Sequence, residues 1–165
     1  MKLNKKIKIL KKIVEILDKG VKCDMIKLFN KTDKFRKIND KIPIGKLEPL
    51  QGSVTLLNMI NVNGKRVIVM KGTRKAGTRV GIHVHRYGGY TLVLSGEITD
   101  FVQGIPDKKY KANSGYYMPP CTPMSAANLG KDDAVLIDIF IGDPGTPFIE
   151  ILEPSWNFNR IGKLD

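Results

Sequence analysis

From about residue 48 the chain consists of short apolar runs, rich in β-branched residues, that Gly, Pro, Asn or Asp interrupts every few positions. No helical period links one run to the next, so this stretch can satisfy its backbone polar groups only by pairing strands. The segment SVTLLNMINVNGKRVIVMKG reads as a hairpin, with Asn63-Gly64 supplying the positive φ angles of a type I′ turn. Further strands are expected near 80–86, 90–95, 97–103, 108–112, 115–118, 124–128 and 134–141. Phe148, Ile149, Ile151, Leu152 and Trp156 predict a closing edge strand and an arm. Strands this short and this regular predict an all-β fold, a barrel or jelly roll.

The first 47 residues have a different character. Leu3, Ile7, Leu10, Val14 and Leu17 recur at helical spacing, lysines fill the opposite face, and Gly20 offers a stop. This predicts an amphipathic helix over residues 3–18, packed on the barrel or across a homodimer interface. The expected organisation is therefore a basic helix and linker over 1–47 and a β-barrel domain with a C-terminal arm over 48–165. Charge follows the same division. Of the 28 Lys and Arg, 15 lie in residues 1–46 against 5 Asp and Glu, which accounts for +10 of the net +12. Arginine, the residue suited to bidentate reading of bases and phosphates, is scarce, so specific nucleic-acid binding is not expected. No apolar run approaches the roughly 20 residues of a membrane span, and lysines break the N-terminal apolar stretch as no signal peptide would allow. Cys23 and Cys121, far apart in the chain, read as two reduced thiols of a cytoplasmic protein.

The chain has two histidines, and they stand two apart in GIHVHR. On a strand, residues i and i+2 project from one face, about 6.5 Å apart at their Cα atoms. His83 and His85 can therefore reach a common point, and imidazole pairs suit Zn, Cu, Fe and Ni. HxH alone is a weak signal.

Its surroundings make it more specific. GTRVGIHVHRYGGYTLVLSGE resembles the first motif of the cupin superfamily, in which glycine, His-x-His, glutamate and glycine follow at set spacings. Gly77, His83, His85 and Gly96 fall in register, while Gly89 stands at the glutamate position. NSGYYMPPCTPMSAAN, residues 113–128, resembles the second motif: Pro119 and Asn128 match, Asn113 and Cys121 stand where glycines are usual, and Met124 replaces the histidine. The resemblance covers about residues 48–145. It implies a double-stranded β-helix with a metal site in its barrel, and two of that site's four usual ligands are replaced here.

Three functional expectations follow. The first is a divalent ion (Fe, Mn, Zn, Ni or Cu) held by His83 and His85, in a protein acting on a small molecule as an oxygenase, isomerase or lyase. Glu97, Asp100, Tyr87 and Tyr90 lie near enough in sequence to assist. The second is a metal-free cupin that binds a small ligand or senses it; a catalytic form of this pocket pairs His83 or His85 as base with Tyr87 as acid. The third adds Cys121 and Met124 to the histidines as a copper set. Met70, Met124 and Asn128 are the expected pocket-lining residues, with Met118 a further apolar candidate.

Overall fold

The computed structural model describes residues 36–153, so the expected helix over 3–18 and the segment with Trp156 lie outside the described residues. Within them the chain forms twelve strands and no helix. The strands are β1 (Lys46–Leu47), β2 (Gln51–Ile60), β3 (Arg66–Arg74), β4 (Thr78–Arg79), β5 (His83–Val84) and β6 (Gly89–Ser95). They continue with β7 (Glu97–Val102), β8 (Ile105–Lys111), β9 (Ser114–Met118), β10 (Met124–Ala127), β11 (Ala134–Gly142) and β12 (Glu150–Ile151).

These strands make two sheets. One runs β2-β3-β11-β6-β9; the other runs β1-β4-β10-β5-β12, with β7 also pairing β10 and β8 pairing β7. Every pairing is antiparallel except that of β1 with β4. Alternation then decides what lies inside. On β11, Leu136 and Phe140 enter the cluster that also holds Ile68, Val93, Ile98 and Met124. Ile139 and Ile141, one step out of phase, pack with Val67 on the other face. The packed body starts before residue 48: Ile38 is buried against Ile82, Phe101 and Ala127, and β1 already pairs β4.

The β2–β3 connection differs from the expected type I′ turn. Gly64 alone has a positive φ, 71°, and its amide donates to the Asn61 carbonyl. The Asn61 side chain also accepts from the amides of Asn63 and Lys65, both at 2.9 Å, so this asparagine holds the loop. That is a type I turn closed by a left-handed glycine. A second correction concerns Cys121, which is disulfide-bonded rather than a free thiol. A disulfide persists in oxidising surroundings, so the cytoplasmic expectation loses the thiol argument on which it rested.

The C-terminal segment is clamped under the histidine strand. Ile151 pairs with His83 on β5, and Glu153 takes two hydrogen bonds from Arg79, at 2.7 and 2.8 Å, and one from the Ile82 amide. Both side chains are almost wholly buried. Burial alone would raise the Glu153 pKa, but the hydrogen bonds from Arg79 and Ile82 outweigh it and hold it below the ordinary value. A buried cation that loses its counter-ion is costly. Glu153→Ala should therefore lower unfolding stability by about 3–5 kcal/mol in urea titration; a loss under about 1 kcal/mol would show that water reaches Arg79 freely.

Candidate functional site

His83 and His85 are 4% and 2% exposed, and both rings face the barrel interior. β5 is only two residues long, so His85 lies just past its end. A further contact fixes each ring. His83 Nδ1 is 2.7 Å from the Gly81 carbonyl oxygen and His85 Nδ1 is 2.6 Å from that of Phe148. A carbonyl can only accept, so each Nδ1 carries the hydrogen and each neutral ring presents a bare Nε2 lone pair. These two Nε2 atoms stand 3.1 Å apart.

The hydrogens do not suffice for that arrangement. Three contacts in a row, carbonyl to ring, ring to ring and ring to carbonyl, need three hydrogens, and two neutral imidazoles supply two. A cation between the Nε2 atoms completes the set. A proton is unfavourable there: burial, then the neighbouring His85, pushes the His83 pKa down to about 3, and burial pushes that of His85 down to about 4. A metal ion suits the position. Two nitrogens bound cis to one ion, each about 2.0–2.1 Å from it, stand about 3 Å apart, and ligating histidines commonly donate their other N–H to a carbonyl.

The two motif departures are also explained locally. A Cβ on Gly89 would come within 2.7 Å of the Phe140 ring and 2.6 Å of Met118 Cε. Phe140 stacks on His85 at 4.9 Å between centroids, so an aromatic ring fills the space of a carboxylate ligand. Met124, 1% exposed, sits directly opposite His83 in the β10–β5 pairing and lines the same cavity. Asn113 and Cys121, at the motif's glycine positions, both have positive φ, 67° and 59°. Among the described residues no third His, Cys, Asp or Glu joins the pair as a metal-binding group.

The histidines line a narrow cavity of about 90 Å³ that shares Leu50, Arg74, Val80, Asp138, Phe140 and Ile149 as wall residues with an outer one of about 500 Å³. Met70 lines the outer cavity, not the inner. Tyr87 lines neither: its hydroxyl donates to Asp143 at 2.5 Å, so His85 and Tyr87 are not brought together as base and acid. Asn128 is fully buried but structural, its amide donating to the Arg74 and Asp132 carbonyls while its oxygen accepts from Gly130. Tyr90 packs on the outer face, and Glu97 pairs with Lys109. Asp100 is buried, with its pKa pushed up to about 7 by burial and by Asp107, yet it does not line the histidine cavity. The copper set falls because the disulfide removes the Cys121 thiolate.

The polar groups that share the cavity with the histidines are others: Arg74, Thr91, Tyr116 and Asp138. The Thr91 hydroxyl donates to Asp138 at 2.6 Å, while burial raises the Asp138 pKa and raises that of Tyr116 well above its ordinary value. Asp138 had a signal in sequence. It is the one charged residue of AVLIDIFIG, in phase with inward-facing Leu136 and Phe140.

No protein-family model matches the sequence, and no curated protein matches it. Solved structures do. A DMSP lyase from Ruegeria pomeroyi superimposes with a TM-score of 0.51 at 16% identity, covering 64% of this chain and 53% of the lyase. The fold is the cupin-type double-stranded β-helix. An RmlC-like cupin from Methanocaldococcus jannaschii gives 0.48 at 16% identity, covering 66% of this chain and 95% of that one. A protein with a double-stranded β-helix domain from Klebsiella pneumoniae gives 0.49 at 21% identity, with 65% and 90% covered. At these identities the likeness concerns the backbone alone.

In metal-free protein neither imidazole should titrate between pH 8 and 5 when followed by NMR. Unfolded histidines take up protons near pH 6.5 and the folded pair does so only near 3 and 4, so stability should fall as pH drops below about 6.5. A folded-state midpoint near 6.5 for either ring would contradict the buried, Nδ1-protonated pair.

Proposed function

We propose that this cupin binds a divalent metal ion through His83 Nε2 and His85 Nε2 and uses it on a small molecule held in the barrel, as an oxygenase, isomerase or lyase. The observation that carries this reading is the pair of facing lone pairs at 3.1 Å with both Nδ1 atoms committed to carbonyls. A bound ion would supply Lewis acidity toward an oxygen of that molecule. The chain's own residues do the rest. The Gly81 and Phe148 carbonyls hold the rings, Phe140 and Met124 keep out water, and Asp138, kept toward its protonated form by burial, can hold a proton beside the cavity. Two protein ligands imply weak, exchangeable binding.

A second reading is a metal-free cupin that binds or senses a small ligand; Met124 opposite His83 and the Phe140 ring at the carboxylate position favour it, since neither is a ligand for a hard ion. Metal content separates the two. Zinc or manganese should bind wild-type protein in equilibrium dialysis and be lost in His83→Ala and His85→Ala, with little change in far-UV circular dichroism. Met124→His should tighten binding at least tenfold; equal affinities would mean that residue 124 does not reach the ion.

We also infer a homodimer, supported by the edge strand β2. All ten of its residues are exposed, and Val54, Leu56, Met59 and Ile60 are each about half exposed. A long apolar edge left unpaired is prone to uncontrolled association. Sedimentation should give twice the chain mass, and Leu56→Lys should shift it to monomer; a monomeric wild type would refute the inference.

A further inference from the structure

The chain has two wholly buried arginines among its described residues, and their partners differ. Arg79 is matched by Glu153 through two hydrogen bonds. Arg74, 4% exposed, donates from Nη1 to the Glu48 carbonyl and has no other hydrogen bond and no ion pair within the described residues. A guanidinium carries five N–H donors, so most of its capacity is unspent. It is desolvated enough for burial to lower its pKa to about 10, which leaves it cationic at neutral pH. Asp138 is the nearby acid and raises the Arg74 pKa; burial, the larger effect, raises the pKa of Asp138, and Arg74 lowers it. One oxygen of Asp138 accepts from Thr91, and the Arg74 and Asp138 side chains make no hydrogen bond or ion pair with each other.

The position of Arg74 matters as much as its charge. It lines both cavities, at their junction. The outer cavity is otherwise mostly apolar, with Ile68, Met70, Phe148 and Ile149 in its wall; its other charged residues are Asp138 and Arg66, the latter bonded to Asn58 and set over the Phe148 ring. A buried cation with unspent donors and no ion pair or hydrogen bond to the neighbouring Asp138, in the wall of a mostly apolar chamber, is complementary to a molecule with one anionic fork and an apolar body.

We propose that the barrel takes a small monocarboxylate, its carboxylate bound by Arg74 at the junction and its apolar remainder in the outer cavity. This rests on the histidine cavity being the working site, and it adds the class of molecule that enters it. The bidentate match of guanidinium to carboxylate makes the contact selective for that group over an amide or alcohol of the same length.

The test is calorimetric titration of the full chain, treated with EDTA so that no metal can hold the carboxylate, using hexanoate, hexanamide and 1-hexanol as probes. Wild-type protein should bind hexanoate at least tenfold more tightly than either neutral probe. Arg74→Gln should remove the preference and Arg74→Lys should keep part of it. Equal affinities for hexanoate and hexanamide in wild type, or a preference surviving in Arg74→Gln, would overturn the proposal. Should Arg74→Gln fail to fold, the wild-type comparison decides alone. A hexanoate preference in a protein that binds no metal removes the metal reading and leaves this one standing; metal binding without the preference does the reverse.

Discussion

Two neutral imidazoles buried in the barrel and facing one another across 3.1 Å are short of one proton or other cation. Each ring is oriented by a backbone carbonyl that can accept only a hydrogen, so the shortage cannot be relieved by exchanging tautomers. Nor can a proton fill it cheaply, because burial disfavours the imidazolium. The remainder of the fold keeps this pair in place. The Gly81 carbonyl lies two residues before the first ring, and the Phe148 carbonyl arrives on a C-terminal segment that Arg79 and Glu153 fasten beneath the same strand. The site is thus built from segments distant in sequence that meet because both sheets close around one core.

The same closure sorts the polar residues. Inward-facing positions of a small barrel are mostly apolar, and a buried ionisable group there needs a partner. Arg79 has its partner in Glu153. Arg74 and Asp138 sit instead where the inner and outer cavities join, with part of their bonding capacity directed at space a ligand would enter. A broader depression of about 600 Å³ lined by Gly96, Lys111 and Lys131 lies apart from both histidines and has no such buried group. Concavity alone does not mark the site; buried ionisable side chains that line it do.

Much of the architecture could be read before the structure, because turn residues punctuate the strands and the runs between them, such as those around Leu92 and Ile137, are short and apolar. The histidine pair was equally visible, its two residues being neighbours in the chain. What escaped were relations between distant segments. Nothing near Gly89 shows that Phe140 occupies the space beside it, and only the β6–β11 pairing brings them together. Tyr87 is close to His85 in sequence yet turned to Asp143, whereas Tyr116, from β9, shares the cavity with the histidines. Arg74 closes an ordinary-looking strand and has no local mark at all. Asn128 matches a motif position but serves a loop, holding the Arg74 and Asp132 carbonyls.

The most direct test of the central claim is a crystal of the full chain soaked in a zinc salt, with anomalous diffraction recorded at the zinc edge. The account predicts one strong peak between the rings, about 2.0–2.1 Å from both Nε2 atoms. An empty space between the rings with zinc bound elsewhere, or rings turned so that either Nδ1 leaves its carbonyl, would contradict it.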